Sequence, residues 1–110
     1  MIDFDAGHLG KVLEILLAHV PECEIRVFGS RVSGGARKYS DLDIALRAGD
    51  SMLDHERMRL LREAFEESDI PVRIDVIDLN AVSAAFREIV EKNSEILEKP
   101  LNPYRSPGIC

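Results

Sequence analysis

The sequence has few of the residues that hold cross-linked or zinc-bound domains together. Its 110 residues include two cysteines, Cys23 and Cys110, which are too few for a disulfide framework and indicate free thiols in a reducing compartment. Its three histidines have no metal-ligand spacing with those cysteines, so a zinc site is not expected. The composition therefore favours a cytoplasmic protein that folds around an ordinary apolar core.

Long apolar segments are absent as well. No apolar run approaches the roughly 18 residues that a transmembrane helix requires. The first ten residues, MIDFDAGHLG, are acidic where a secretory signal peptide would be basic. We therefore expect a cytoplasmic protein without a membrane partner.

Positive charge is in the minority. The 14 Lys and Arg residues face 20 Asp and Glu residues, for a net charge of −6. Because nucleic-acid binding requires clustered positive charge to neutralise phosphates, this balance argues against a nucleic-acid partner. Arg31, Arg37 and Lys38 form one local basic cluster, which suits a single small phosphate ligand beside a metal ion.

The length predicts one domain, and its apolar periodicity alternates between helix and strand spacing. In chain order the pattern predicts a helix over 9–20, strands over 24–28 and 41–47, a helix over 51–68, a strand over 72–77 and a helix over 81–93. This order predicts an α/β (α+β) fold with a small mixed sheet of three or more strands flanked by helices. We place the domain at 1–98 and a Pro-rich C-terminal tail at 99–110, since three prolines exclude a helix there.

Both later helices have a predicted cap and a predicted inward face. Ser51 with Asp54 resembles a capping box for the first, and Asn80 is the predicted cap of the second. The predicted stripe of the first is Leu53, Arg57, Leu60, Leu61, Ala64 and Phe65. The predicted inward residues of the second are Val82, Ala85, Phe86, Ile89 and Val90.

The most informative segment is 29–46, GSRVSGGARKYSDLDIAL. Asp41 and Asp43 lie two residues apart, and the residues between and after them alternate as in a half-buried strand. In a strand, residues i and i+2 project from the same face, about 6.6–6.8 Å apart. Two adjacent carboxylates repel each other, and Mg²⁺ relieves that repulsion because it prefers oxygen ligands.

A third carboxylate, Asp75, lies in the next predicted strand with the same alternation. If the two strands are neighbours, the three aspartates converge and can hold two divalent cations, which stabilise an in-line phosphoryl displacement. The turn at Gly29 and Ser30 could bring a phosphate close to the backbone, and Arg31 could contact it. The same pattern would arise if the aspartates lay on a solvated sheet face and Arg31 were a solvated loop charge.

The segment resembles the signature of the nucleotidyltransferase superfamily that includes DNA polymerase β, G-S-x-x-x-G-x-x-x-x-x-S-D-x-D. The matching residues are Gly29, Ser30, Gly34, Ser40, Asp41 and Asp43. The stretch RIDVIDL is similar to the strand with the third metal-binding carboxylate, which falls on Asp75 rather than Asp78. One departure is Ser33, where many relatives carry a basic residue. The similarity extends over about residues 9–97 and is greatest to the minimal nucleotidyltransferases.

This resemblance implies a polymerase-β-like palm and an Mg²⁺-dependent transfer of AMP from ATP to a hydroxyl acceptor. It implies Asp41, Asp43 and Asp75 as metal-binding and catalytic residues, and Gly29 and Ser30 as nucleotide-binding residues. Arg31 is added to the predicted nucleotide-binding residues for its charge. Relatives of this size are often paired with a small all-helical protein, in some cases a HEPN-type toxin that they modify on a tyrosine. Two alternatives stay open, a catalytically weak antitoxin that acts by complex formation, and a transferase that acts on a small molecule or a nucleic-acid end.

Overall fold

A computed structural model of the protein describes residues 2–99. Its elements are α1 (Ala6–His19), β1 (Glu24–Phe28), α2 (Ser30–Ser33), β2 (Leu42–Arg47), α3 (His55–Glu67), β3 (Ile74–Asp78), α4 (Ala84–Lys92) and β4 (Glu95–Ile96). Of the predicted tail, all but residue 99 lies outside the described residues, so the predicted domain boundary stays a prediction.

The four strands form one mixed sheet in the order β3-β2-β1-β4. β1 pairs antiparallel with β2 and β4, whereas β2 and β3 are parallel and are joined through α3. The condition for convergence of the aspartates, that these two strands are neighbours, is therefore met. The two-residue β4 was not predicted, because two residues have no measurable alternation.

The alternation in β2 divides its side chains between two cores. Leu42, Ile44 and Leu46 are fully buried on one face, in a cluster with side chains of α1 and α3. Asp43 and Ala45 project from the other face of β2. Ala45 belongs to a second apolar cluster that includes Leu79, just after β3, and Val90 of α4. The carboxylate of Asp43 therefore lies on the α4 side of the sheet.

The helix α3 begins later than predicted. Its N-cap is Asp54, whose side chain makes no capping hydrogen bond, and Ser51 instead forms an isolated β-bridge with Ala48. The capping-box prediction is therefore wrong. The buried residues of α3 are Met58, Leu61 and Phe65, so only part of the predicted stripe faces the core, and Leu60 is exposed.

The helix α4 also differs from its prediction. It begins at Ala84, and its cap is Ser83, whose hydroxyl accepts a hydrogen bond from the N–H of Phe86. Asn80 is not the cap, because its side chain donates to the carbonyls of Gly49 and Ser51. Of the five predicted inward residues only Val90 is fully buried, and Ile89 is 59% exposed.

None of the helices within residues 2–99 has the length and apolar character that crossing a bilayer requires.

Candidate active site

Two of the three predicted aspartates are neighbours across the sheet. Asp43 of β2 is paired in register with Asp75 of β3, and neighbouring strands lie about 4.8 Å apart. Asp41 is exposed and comes one residue before β2. The strand register therefore places all three at one end of the β2–β3 pair, where Phe28 at the end of β1 pairs with Asp43.

The electrostatic environment of Asp43 disfavours its charged form. Burial raises the pKa of this carboxyl above its ordinary value, and the negative charges of Asp75 and then Asp41 raise it further. Arg73 has a smaller opposite effect. Asp75 and Asp41 are thus close enough to Asp43 to repel its charge.

The turn at Gly29 brings the backbone against this carboxylate. Gly29 has φ +76°, a conformation that L side chains rarely adopt, and a Cβ added there would lie 2.2 Å from Oδ2 of Asp43. Glycine is therefore required at this position both for the backbone conformation and for the space beside Asp43. The sequence predicted an approach of the backbone to a phosphate here, and the contact with Asp43 was not foreseen.

The turn continues into the four-residue helix α2, which Gly34 ends. The hydroxyl of Ser33 donates a hydrogen bond to the carbonyl of Gly29 at 3.0 Å and so stabilises the turn. Ser30 is half-buried and directly follows Gly29. The roles predicted for Gly29 and Ser30 in nucleotide binding stay predictions.

Arg31 is buried, with 7% of its surface exposed. Its guanidinium donates hydrogen bonds to the backbone carbonyls of Asp3, Lys38 and Ser40, at 3.1, 3.2 and 2.8 Å. It also lies 5.0 Å from the ring centroid of Phe4. The predicted phosphate contact of Arg31 stays a prediction, but this side chain has extensive contacts within the protein.

Asp78 lies outside the site. Its carboxylate accepts hydrogen bonds from the N–H groups of Leu53 and Asn80, at 2.7 and 2.9 Å, and it is buried at the far end of β3. It therefore fixes the loops after β2 and β3 to each other. The expectation that Asp75 rather than Asp78 faces the other aspartates agrees with this placement.

The chemistry of the three aspartates fits a divalent cation. Among residues 2–99, no three His, Cys, Asp or Glu side chains are close enough as placed to form a ligand set. Nevertheless Asp41, Asp43 and Asp75 provide the hard oxygen donors that Mg²⁺ prefers, and the repulsion at Asp43 is what a cation would relieve. These residues would hold the ion.

The repulsion predicts that Asp43→Asn stabilises the metal-free protein. In EDTA at pH 7 we expect a Tm about 2–4 °C higher than wild type, the effect of roughly 0.5 kcal/mol in a domain of this size. Because the pKa of Asp43 is raised in the folded state, its destabilising effect is absent at low pH and develops as the pH rises through that pKa. The gain should therefore disappear below about pH 4.

Differential scanning fluorimetry across pH measures this effect. Asp50→Asn, which removes a charge from the exposed turn after β2, is the control and should leave Tm nearly unchanged. A lower Tm for Asp43→Asn than for wild type in EDTA would show that the three carboxylates do not repel one another.

Comparisons with known proteins agree with this geometry. The family model "Polymerase beta, Nucleotidyltransferase" matches residues 13–100. A protein of Haemophilus influenzae described as a probable protein adenylyltransferase, MntA, is 39% identical over 106 residues, which cover 96% of this chain and 92% of that protein.

Solved structures also resemble this chain. A crystal structure described as a toxin-antitoxin with AMP-PNP has a TM-score of 0.66 at 26% identity, covering 79% of this chain and 69% of the other. A structure described as a candidate minimal nucleotidyltransferase also has a TM-score of 0.66 at 26% identity and covers 86% of this chain and 97% of the other. The similarity therefore extends over most of the described fold.

Proposed function

Because this chain belongs to the polymerase β nucleotidyltransferase family, we propose that it is an Mg²⁺-dependent adenylyltransferase that transfers AMP from ATP to a hydroxyl group of a protein partner. The observation that carries the proposal is the pairing of Asp43 with Asp75 beside the Gly29 turn, in a chain 39% identical to a relative described as a protein adenylyltransferase. A nucleotide as ligand is supported by the structural relative described with AMP-PNP.

The three aspartates have different roles in this proposal. Asp41, one residue before β2, and Asp43 within it would hold the ion that carries the triphosphate, and Gly29 and Ser30 would border the phosphates. Asp75 comes from the neighbouring strand and would help to hold a second ion. When bound, Mg²⁺ would supply neutralisation of phosphate charge and a more acidic acceptor hydroxyl.

The proposed transfer is a nucleophilic substitution at the α-phosphorus of ATP. The acceptor oxygen forms a bond to this phosphorus, the bond to the bridging oxygen breaks, and pyrophosphate leaves. Asp75 accepts the proton of the hydroxyl, as a general base positioned next to it. Burial, and then the neighbouring negative charges of Asp75 and Asp41, raise the pKa of Asp43, and a bound cation would offset both effects.

The proposed acceptor is a tyrosine of a small all-helical, HEPN-type toxin, which would make this chain the antitoxin. The support is the structural relative described as a toxin-antitoxin. Acceptor and nucleotide would meet on the α4 side of the sheet, since Asp43 projects there.

Label transfer tests the proposal. The purified chain is mixed with the product of the neighbouring reading frame and with ATP labelled at the α- or the γ-phosphate. We expect the α label on the partner in Mg²⁺ and no transfer in EDTA, with no γ label transferred in either case. Asp43→Asn, which keeps the side-chain volume, should transfer at least ~10²-fold less.

Two results would contradict the proposal in different ways. Transfer of γ label would indicate a kinase. A stable complex that shows no transfer of either label would indicate an antitoxin that acts by binding alone.

A further inference from the structure

The contacts of Arg31 connect three segments that are separate in sequence. The segment before α1 is attached twice, since the N–H of Asp3 donates to the carbonyl of Arg31 at 2.7 Å and Arg31 donates back to the carbonyl of Asp3. The loop after α2 is attached through the carbonyls of Lys38 and Ser40. Within residues 2–99 no carboxylate pairs with Arg31, so backbone carbonyls and the ring of Phe4 are its partners.

The bond to Ser40 bears directly on Asp41. A peptide group is planar, so fixing the carbonyl of Ser40 at 2.8 Å fixes the plane that ends at the Cα of Asp41. On the other side, the N–H of Leu42 donates to the carbonyl of Arg73 at 3.0 Å. Asp41 is exposed and lies outside β2, yet its backbone is held between two anchored peptide groups, one of which depends on Arg31.

We propose that Arg31 is a positioning residue, which holds Asp41 at the metal site by anchoring residues 38–40 to α2 and to the segment before α1. The proposal rests on the proposed function for the role of Asp41, and it makes residues 2–5 part of the support of the active site. In this role Arg31 acts through the backbone next to Asp41 and not by contact with nucleotide or metal. The two terminal nitrogens of its guanidinium donate to three carbonyls, and the side chain is buried.

An arginine is required for this arrangement because its two terminal nitrogens donate in fixed, diverging directions. One nitrogen bonds Asp3, and the other bonds Lys38 and Ser40. A lysine has a single nitrogen and cannot hold both segments with the same geometry. Arg31→Lys should therefore keep the charge and the fold but loosen the loop, whereas Arg31→Ala should loosen it more.

Limited proteolysis measures how firmly the loop at residues 38–40 is held, and it does not depend on enzymatic activity. Arg37 and Lys38 are exposed trypsin sites within the anchored loop. Arg31→Ala should increase the rate of tryptic cleavage after these two residues by about tenfold or more at 25 °C. This is the effect expected from the loss of about one charge-assisted hydrogen bond. Arg31→Lys should give a smaller increase, and added guanidinium ion at millimolar concentration should partly restore resistance in Arg31→Ala, with urea as the control.

Mn²⁺ binding, followed by calorimetry, reports the metal site. We expect Arg31→Ala to weaken Mn²⁺ binding about fivefold or more in the absence of nucleotide, since Asp41 is no longer held near Asp43. Arg57→Ala is the matched control, because Arg57 also anchors separate segments, through His19 and Glu22, but lies away from the aspartates. It should lower Tm and leave both loop cleavage and Mn²⁺ affinity unchanged.

The outcomes separate the alternatives. If Arg31→Ala weakens Mg-ATP binding but leaves Mn²⁺ affinity and loop cleavage unchanged, Arg31 is a phosphate ligand and the positioning role is wrong. If it lowers only Tm, as Arg57→Ala does, its role is structural and the proposal is again overturned. If the wild-type protein transfers no AMP while the loop and Mn²⁺ effects are found, the proposed function fails and the anchoring role stands.

Discussion

Asp75→Ala should bind Mg-ATP within a few-fold of wild type, yet transfer AMP at least ~10²-fold more slowly, the low end of the effect of losing a general base. In the proposed mechanism Asp41 and Asp43 are enough to hold the ion that carries the nucleotide. Asp75 comes from β3 and is the proposed base for the acceptor, so we expect its loss to remove an interaction made mainly in the transition state. Calorimetry of nucleotide binding and single-turnover label transfer measure the two effects separately.

Asp78→Ala is the matched control, since it removes an aspartate three positions further along the same strand. This substitution should also affect stability, because Asp78 accepts hydrogen bonds from two backbone N–H groups. We expect a loss of about 1–3 kcal/mol of stability and nearly wild-type transfer per folded molecule. If Asp78 proves essential for transfer while Asp75 is dispensable, the assignment of the third carboxylate is wrong.

Gly29→Ala should abolish metal-dependent nucleotide binding and reduce transfer at least ~10²-fold, the loss expected from displacing one essential metal ligand. The added Cβ would lie 2.2 Å from Oδ2 of Asp43, so either the carboxylate or the turn must move. The φ of +76° adds backbone strain of order 1–3 kcal/mol. Nucleotide binding with and without EDTA, followed by label transfer, measures the result.

Gly35→Ala is the control that distinguishes the effect of backbone strain from the effect of crowding Asp43. Gly35 has a similar φ of +83°, but a Cβ there has nothing within 4 Å. Both substitutions should lower Tm by a similar amount, whereas only Gly29→Ala should abolish binding. Equal losses of binding in the two variants would show that the loop conformation, rather than the space beside Asp43, is what matters.

The strand pattern predicted the two strands that carry Asp43 and Asp75. The alternation around these residues is a local property that survives in the folded sheet, because each strand needs its apolar phase buried. The sequence left open whether β2 and β3 are neighbours, and their register shows that they are. The contact between Gly29 and Asp43 could not be predicted, because 14 residues separate them and only the strand pairing sets their distance.

Contacts between distant segments are not visible in a local pattern. The charge and motif position of Arg31 predict a phosphate contact, which stays a prediction, whereas its burial depends on three segments that the sequence does not relate. Phe86 and Ile89 were placed inward because they repeat at helical spacing, but α4 has nine residues and only Val90 reaches the core. The ring of Phe86 instead lies edge-on to Phe28, beside the Gly29 turn. Local periodicity predicts which face of a helix is apolar, but it does not predict which part of that face packs against the rest of the protein.

The parallel pairing of β2 with β3 has a consequence for newly made chains. β1 and β2 are antiparallel and close in sequence, whereas Asp75 meets Asp43 only after the crossover through α3 has closed over 32 residues (75 − 43). Pairing at such separation costs more loop-closure entropy than the local pairing of β1 with β2. A chain in which only β1 and β2 have paired carries Asp41 and Asp43 without the proposed base opposite them. In the proposed mechanism such a half-folded chain lacks both the base and the anchor from Arg73 beside Asp41, so transfer would begin only when folding of the sheet is complete.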